Sequence, residues 1–174
     1  FKVYFDDGAQ VVAPHAESIV DAVNAVDLSA TIPFLEKCLE GVNTLDESAD
    51  DAYKNLLKEV LSNEVSVDAN LLKVVFSPIH GAGAIISVPL LKEMGIDVHS
   101  VEEQDIMDSA FSTVNSPNPE NASALKMALD KAEFVGADVV IATDPDADRM
   151  GVAVRDAEGS MKLLSGNQVG SLLA

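Results

Sequence analysis

From residue 70 onward, short apolar runs alternate with helical stretches, and this alternation constrains the fold more than any other feature. Leu72-Lys73-Val74-Val75-Phe76, Asp97-Val98-His99-Ser100-Val101 and Asp138-Val139-Val140-Ile141-Ala142 each have strand length and β-branched character. A helix is predicted from about Ala82 to Glu93, ended by Gly95 and kinked by Pro89, whose ring removes a backbone donor. A second starts at an Asn118 cap with Pro119 and Glu120 in its first turn. It buries Ala122, Leu125, Ala128, Leu129 and Ala132 and ends at Gly136. Three strands separated by two helices dictate a parallel sheet with right-handed crossovers. Residues 150–154 and 161–164 add a strand pair around Asp156-Ala157-Glu158-Gly159. The expected class is α/β: a mixed, mostly parallel sheet with flanking helices.

Upstream, Asp7-Gly8 sits between two short β-prone runs and predicts a hairpin over residues 2–12. Ile19, Ala22, Val23 and Val26 give one helical stripe over about 14–26. Residues 31–39 are read as a short helix, with Cys38 on its apolar face beside Leu35 and Leu39. Asp46 is expected to cap a helix whose stripe comprises Ala49, Ala52, Tyr53, Leu56, Leu57, Val60 and Leu61.

Charge limits the function. Eleven basic residues oppose 29 acidic ones, for a net charge of −18. Such a surface repels phosphate backbones and anionic lipid, so neither nucleic acid nor membrane is expected as a partner. No apolar run is long enough to span a bilayer and no leader is evident. One cysteine makes no internal disulfide, in keeping with a cytoplasmic setting. The chain opens at FKVYFDDGAQ without Met and stops at GNQVGSLLA, which predicts a piece of a longer protein.

Ligand chemistry in parallel α/β sheets collects at the carboxyl ends of strands, which selects residues 77–83 and 143–149. The second loop reads Thr143-Asp144-Pro145-Asp146-Ala147-Asp148-Arg149. In an extended conformation, alternate side chains share a face, so Asp144, Asp146 and Asp148 are expected to converge. Converging anions call for a cation, and hard oxygen ligands suit Mg2+. Arg149 is suited to grip a phosphate oxygen or an outer carboxylate. An acidic surface turn is the plainer alternative. An EF-hand would need Gly and Glu where Arg149 and Arg155 stand. A haloacid-dehalogenase-like phosphatase needs motifs for which the 25 residues after Arg149 leave no room, so only a truncated one stays as an alternative.

The first loop, Ser77-Pro78-Ile79-His80-Gly81-Ala82-Gly83, supports two readings. Gly81 and Gly83 allow a ligand anion to approach backbone N–H groups, with His80 as a further contact. Equally, a strand-to-helix turn needs small residues. The acidic stretch Glu102, Glu103, Asp105 and Asp108 is read as a solvated connection.

At DPDADRMGVAV the sequence closely resembles the α-D-phosphohexomutases, the phosphoglucomutase/phosphomannomutase family. FKVYFDDGAQ, FSPIHGAG, SPNPE, TDPDADRMGVAV and SGNQVG follow the family's order, and the longer phosphoglucomutase and phosphopentomutase branch is the most similar. The resemblance implies four domains. Residues 1–45 would be the tail of the first, 46–156 the second with its metal loop, and 157–174 the start of the third. It implies phosphoryl transfer between C1 and C6 of a hexose phosphate, a glucose or mannose 1- or 6-phosphate, through a phosphoserine and Mg2+. The family's TASHNP-like serine loop does not occur in this sequence, so the chain alone is expected to be inactive. Asp144, Asp146 and Asp148 match the family's metal ligands and Arg149 an active-site arginine. Lys2 matches a lysine implicated in proton transfer, and His80 and Gly81 are taken as substrate-binding. The alternative is a non-catalytic or regulatory α/β module that retains the acidic loop.

Overall fold

Asp7 and Gly8 turn the chain back on itself. Asp7 Oδ1 accepts the Ala9 N–H at 2.9 Å, and Gly8 adopts φ +82°, where a Cβ would be strained. Phe5 and Val11 then donate to Ala9 and Val3 across the arms, which meet at one bridge, Tyr4 with Gln10. The molecule is known here from a computed structural model that describes residues 2–27, 29, 43–62 and 71–174. The helix expected over 31–39, with Cys38, lies outside the described residues. The chain divides into two compact units, residues 1–44 and 45–174. In the first, α1 (His15–Asn24) follows the hairpin. Its stripe is largely exposed rather than buried: Ile19, Val23 and Val26 all face solvent.

In the second unit α2 (Glu47–Ser62) begins at Asp46, whose Oδ1 accepts both the backbone N–H, at 3.0 Å, and the hydroxyl of Ser48. Ala52, Tyr53, Leu56 and Val60 are exposed, which narrows the expected apolar stripe to Ala49, Leu57 and Leu61. Lys54 and Lys58 reach Glu93 across the helix pair.

The sheet is built from β1 (Lys73–Ser77), β2 (Asp97–Ser100), β3 (Val139–Thr143), β4 (Met150–Arg155) and β5 (Met161–Leu163), in the order β2-β1-β3-β4-β5. The pairs β1–β2 and β1–β3 are parallel, and β3–β4 and β4–β5 antiparallel. The sheet is therefore mixed as expected, with its pairings divided evenly.

α3 (Ala84–Glu93) follows β1, and α4 (Lys126–Val135) precedes β3. α3 runs through Pro89 and ends where Gly95, at φ +88°, lets the Ile96 N–H reach back to Leu91 O. The core joins Val75, Val140, Ala142 and Ala153 of the sheet to Leu125, Ala128 and Ala132, with Ile79 and Val101 sealing it. Val74 and Phe76, one residue out of phase, are buried toward the opposite face, as the pleat requires.

Two expectations about α4 need correction. The helix starts at Lys126, not near Asn118, and Ala122 is exposed. Asn118 does cap locally, accepting the Glu120 N–H at 3.0 Å, but Asn121 then donates back to Asn118 O, closing a turn. Pro119 O also lies against Gly151, where any Cβ would come within 2.0 Å of it. That close approach pins the segment against β4 ahead of the regular helix. α5 (Gly166–Leu173) ends the chain behind a Ser165–Gln168 capping box.

Candidate metal centre

β3 and β4 are antiparallel neighbours with Thr143 opposite Met150, so residues 144–149 form the connection of a hairpin. The three aspartates do converge, though not by extended alternation. Ala147 takes φ +59° and its N–H closes on Asp144 O at 3.0 Å, folding the loop back. One carboxylate oxygen from each of Asp144, Asp146 and Asp148 then lies within 4.8 Å of the others. Asp144 is fully buried, while Asp146 and Asp148 are exposed.

Electrostatics separate the three. Burial pushes the Asp144 carboxyl up, but the Arg149 backbone N–H, its guanidinium and its charge together bring it below the usual carboxylate range. Oδ1 accepts the Arg149 N–H at 3.0 Å and Oδ2 the Nε–H at 2.7 Å. Asp148 is pushed the other way, first by the charge of Asp146 and then by its hydrogen bond to Asp144. The loop thus carries more negative charge than Arg149 neutralises.

This donor set fits a hard divalent cation. Two oxygens bound to one Mg2+ at ~2.1 Å stand at most about 4.2 Å apart, close to the spread of up to 4.8 Å seen here. Arg149 leaves a second lone pair on each Asp144 oxygen for a metal.

The 77–83 loop packs directly against this hairpin. The Ala82 N–H donates to Pro145 O at 3.0 Å. A Cβ on Gly81 would sit 2.3 Å from Pro145 Cα, and one on Gly83 would sit 2.3 Å from Thr143 Oγ1. Glycine is needed here for close approach, whatever else the loop does. Ile79 and His80 take φ +46° and +64°. Left-handed backbone costs a residue with a Cβ about 1–2 kcal/mol, so surrounding contacts must hold both. The His80 ring is buried, with Nδ1 2.9 Å from Ile106 O and Nε2 2.7 Å from Thr113 Oγ1. Gln104, fully buried within the acidic connection, was not singled out from the sequence; Glu102, Glu103 and Asp105 around it are exposed as expected. The only hint was an uncharged residue in a run of acids. Lys2 lies in the first unit, exposed, on the hairpin arm before Tyr4.

A family model described as phosphoglucomutase/phosphomannomutase, alpha/beta/alpha domain II, matches residues 51–159. The chain belongs to this family. Its relatives include a phosphoribomutase of Saccharomyces cerevisiae, 35% identical over 191 residues, covering 100% of this chain and 30% of the relative. A Staphylococcus aureus phosphoglucomutase is 35% identical over 175 residues, covering 99% of this chain and 31% of its own length. The chain thus spans less than a third of the curated relatives it matches. Among solved structures, a phosphoglucomutase/phosphomannomutase family protein from Burkholderia thailandensis superposes with a TM-score of 0.50 at 24% identity, over 65% of this chain and 22% of that one. That likeness shows the shared fold. The acidic hairpin and the loop packed on it both fall inside the matched family domain.

Proposed function

We propose that this chain is the metal-binding central part of a sugar phosphate mutase that moves a phosphoryl group between C1 and C6 of a hexose phosphate. The observation that carries this is the convergence of Asp144, Asp146 and Asp148 on one hairpin connection beside Arg149. Family membership supports the reaction class, and relatives named for glucose and ribose phosphates support a sugar phosphate substrate. The domain II match at 51–159 and the unit boundary at residue 44 support a division into the end of a first domain, a second domain over 46–156, and the opening of a third.

Asp144, Asp146 and Asp148 would hold Mg2+. When bound, the ion would supply Lewis-acid stabilisation of a seryl phosphate, drawing charge from its oxygens. Asp144 keeps the loop closed through its hydrogen bonds to Arg149, and Asp146 and Asp148 present their oxygens outward. Arg149, half-exposed, can turn its remaining N–H groups to a phosphoryl oxygen and stabilise charge as it develops. We assign Lys2 to proton transfer with the sugar hydroxyl, on the strength of the sequence match alone. His80 and Gly81 line a cavity of about 400 Å3 with Met107, Asp108, Phe111 and Pro145, and we place a substrate contact there. With the His80 ring turned into the protein, that contact would come from the loop backbone.

The seryl loop of the family does not occur in these 174 residues, so the chain by itself should not turn over. Paramagnetic broadening of amide signals by Mn2+ tests the site. Broadening centred on 144–148 supports it, and broadening centred on 102–108 overturns it. Phosphoglucomutase and phosphomannomutase assays of the protein encoded by the complete gene test the reaction.

A further inference from the structure

Beside the acidic hairpin runs a chain of largely buried hydrogen bonds in which a neutral His80 leaves each proton one place. The Ile79 N–H donates to Ser77 Oγ at 3.1 Å, and the Ser77 hydroxyl donates to Gln104 Oε1 at 2.6 Å. Gln104 Nε2 donates to Thr113 Oγ1 at 3.0 Å. Ile106 O can only accept, so His80 Nδ1 carries the proton in their 2.9 Å contact. In the neutral ring Nε2 is then bare and accepts the Thr113 hydroxyl at 2.7 Å. The His80 backbone N–H adds a bond to Gln104 O at 2.9 Å. Ser77 and Gln104 are fully buried and His80 nearly so. Thr113 is exposed over the rest of its surface and closes the chain from outside.

The relay acts on the two residues that need holding. Ile79 and His80 are the consecutive left-handed positions, and each is a member. Next along the backbone come Gly81, against Pro145, and Ala82, bonded to Pro145 O. Pro145 lies between Asp144 and Asp146. A shift of the His80 backbone therefore reaches the spacing of the carboxylates through two rigid contacts, with no flexible side chain between.

Resting on the assignment of the three aspartates as metal ligands, we propose that Thr113 and Gln104 are positioning residues for the acidic hairpin. With Ile106 O setting the tautomer, they hold His80 in one orientation, Thr113 at the ring and Gln104 at the backbone N–H, and through it the seat of Pro145. Neither touches the carboxylates. The connection between β2 and α4 thus takes part in shaping the centre.

Thr113→Val removes the hydroxyl at nearly constant shape from an exposed position, and Thr113→Ser restores it. The full chain is titrated with Mn2+ in each variant, with Asp146→Asn as a reference. The 15N signals of the His80 ring and the amide exchange of Ala82 are read alongside. Thr113→Val should weaken Mn2+ binding by about three- to tenfold, less than the ~10–100-fold typical of a partner bonded directly to a ligand. It should also shift the His80 ring signals, speed Ala82 exchange and move the amide signals of 146–149, and Thr113→Ser should reverse all four. Unchanged Ala82 exchange and unchanged 146–149 signals in Thr113→Val would overturn the proposal, as would failure of Thr113→Ser to restore them. If the wild-type chain binds no Mn2+, the ligand assignment fails. The positioning role is then decided by Ala82 exchange and the 146–149 signals alone.

Discussion

Arg149 occupies both oxygens of Asp144, through its backbone N–H on one and its Nε on the other. A fully buried carboxylate is thereby matched by the residue that closes its own loop. Arg149→Ala should lower the urea midpoint, because a buried carboxylate loses its Nε–H donor. The backbone donor survives the substitution. Added Mn2+ should recover part of the loss, because a cation would again face Asp144.

Asp146→Asn should weaken Mn2+ or Mg2+ binding at least as much as losing a partner that only supports a ligand, ~10–100-fold. Asp146 is exposed and its charge is the first cause of the raised Asp148 carboxyl. The metal-free variant should therefore fold normally and be no less stable than wild type. Calorimetric titration and thermal melts in chelator check both halves.

Gly81→Ala places a methyl group 2.3 Å from Pro145 Cα, where backbone must give way. Overpacking of this kind costs about 1–3 kcal/mol. Gly170→Ala, on α5 with open space around it, should be neutral or stabilise the helix by up to about 1 kcal/mol. Urea midpoints that fall equally in both variants would contradict this account of Gly81.

Arg155 ties β4 to the end of α4, donating to Ala137 O at 2.8 Å, Ala132 O at 3.1 Å and Glu133 Oε2 at 2.9 Å. A lysine cannot reproduce this fork. Arg155→Lys should lose about 1–3 kcal/mol in unfolding free energy. The Glu133 carboxyl, held low first by its hydrogen bond to Arg155, should titrate higher by NMR.

Asp108 is held down at about 2, first by the Ser112 hydroxyl, then by the N–H groups of Ser112 and Ala110. The unfolded chain, with its carboxyl near 3.8, takes up the proton more readily. The stabilisation is therefore complete above pH 3.8 and is lost as pH falls toward 2. Asp108→Asn should flatten that part of the acid unfolding curve. An identical curve between pH 4 and 2 would rule out the assignment.

The candidate site was legible because it lies in consecutive residues. Asp144, Asp146, Asp148 and Arg149 could be named from spacing, as could the strand before them. How the carboxylates meet could not, since it depends on Ala147 adopting a left-handed turn and on β4 returning alongside β3. The Asp46 cap and the Gly95 and Gly136 helix ends were readable from local backbone chemistry. The start of α4 was not, because Pro119 is held by Gly151, distant in sequence. Gln104 stayed hidden for the same reason: its partners Ser77 and Thr113 come from separate segments.

Loop-closure entropy predicts that the hairpin carrying the aspartates forms ahead of the rest of the sheet. Its connection closes over a few residues, at little entropic cost, whereas β3 meets β1 only after a long stretch of chain has been drawn in. The charges can therefore crowd together while Asp144 is still hydrated, and a cation present at that stage would relieve the repulsion. Pairing of β3 with β1, which sets Ser77 beside Ala142 just ahead of Asp144, is the later step in this order. Metal concentration during refolding should then change the rate at which the sheet closes, beyond its effect on the finished protein.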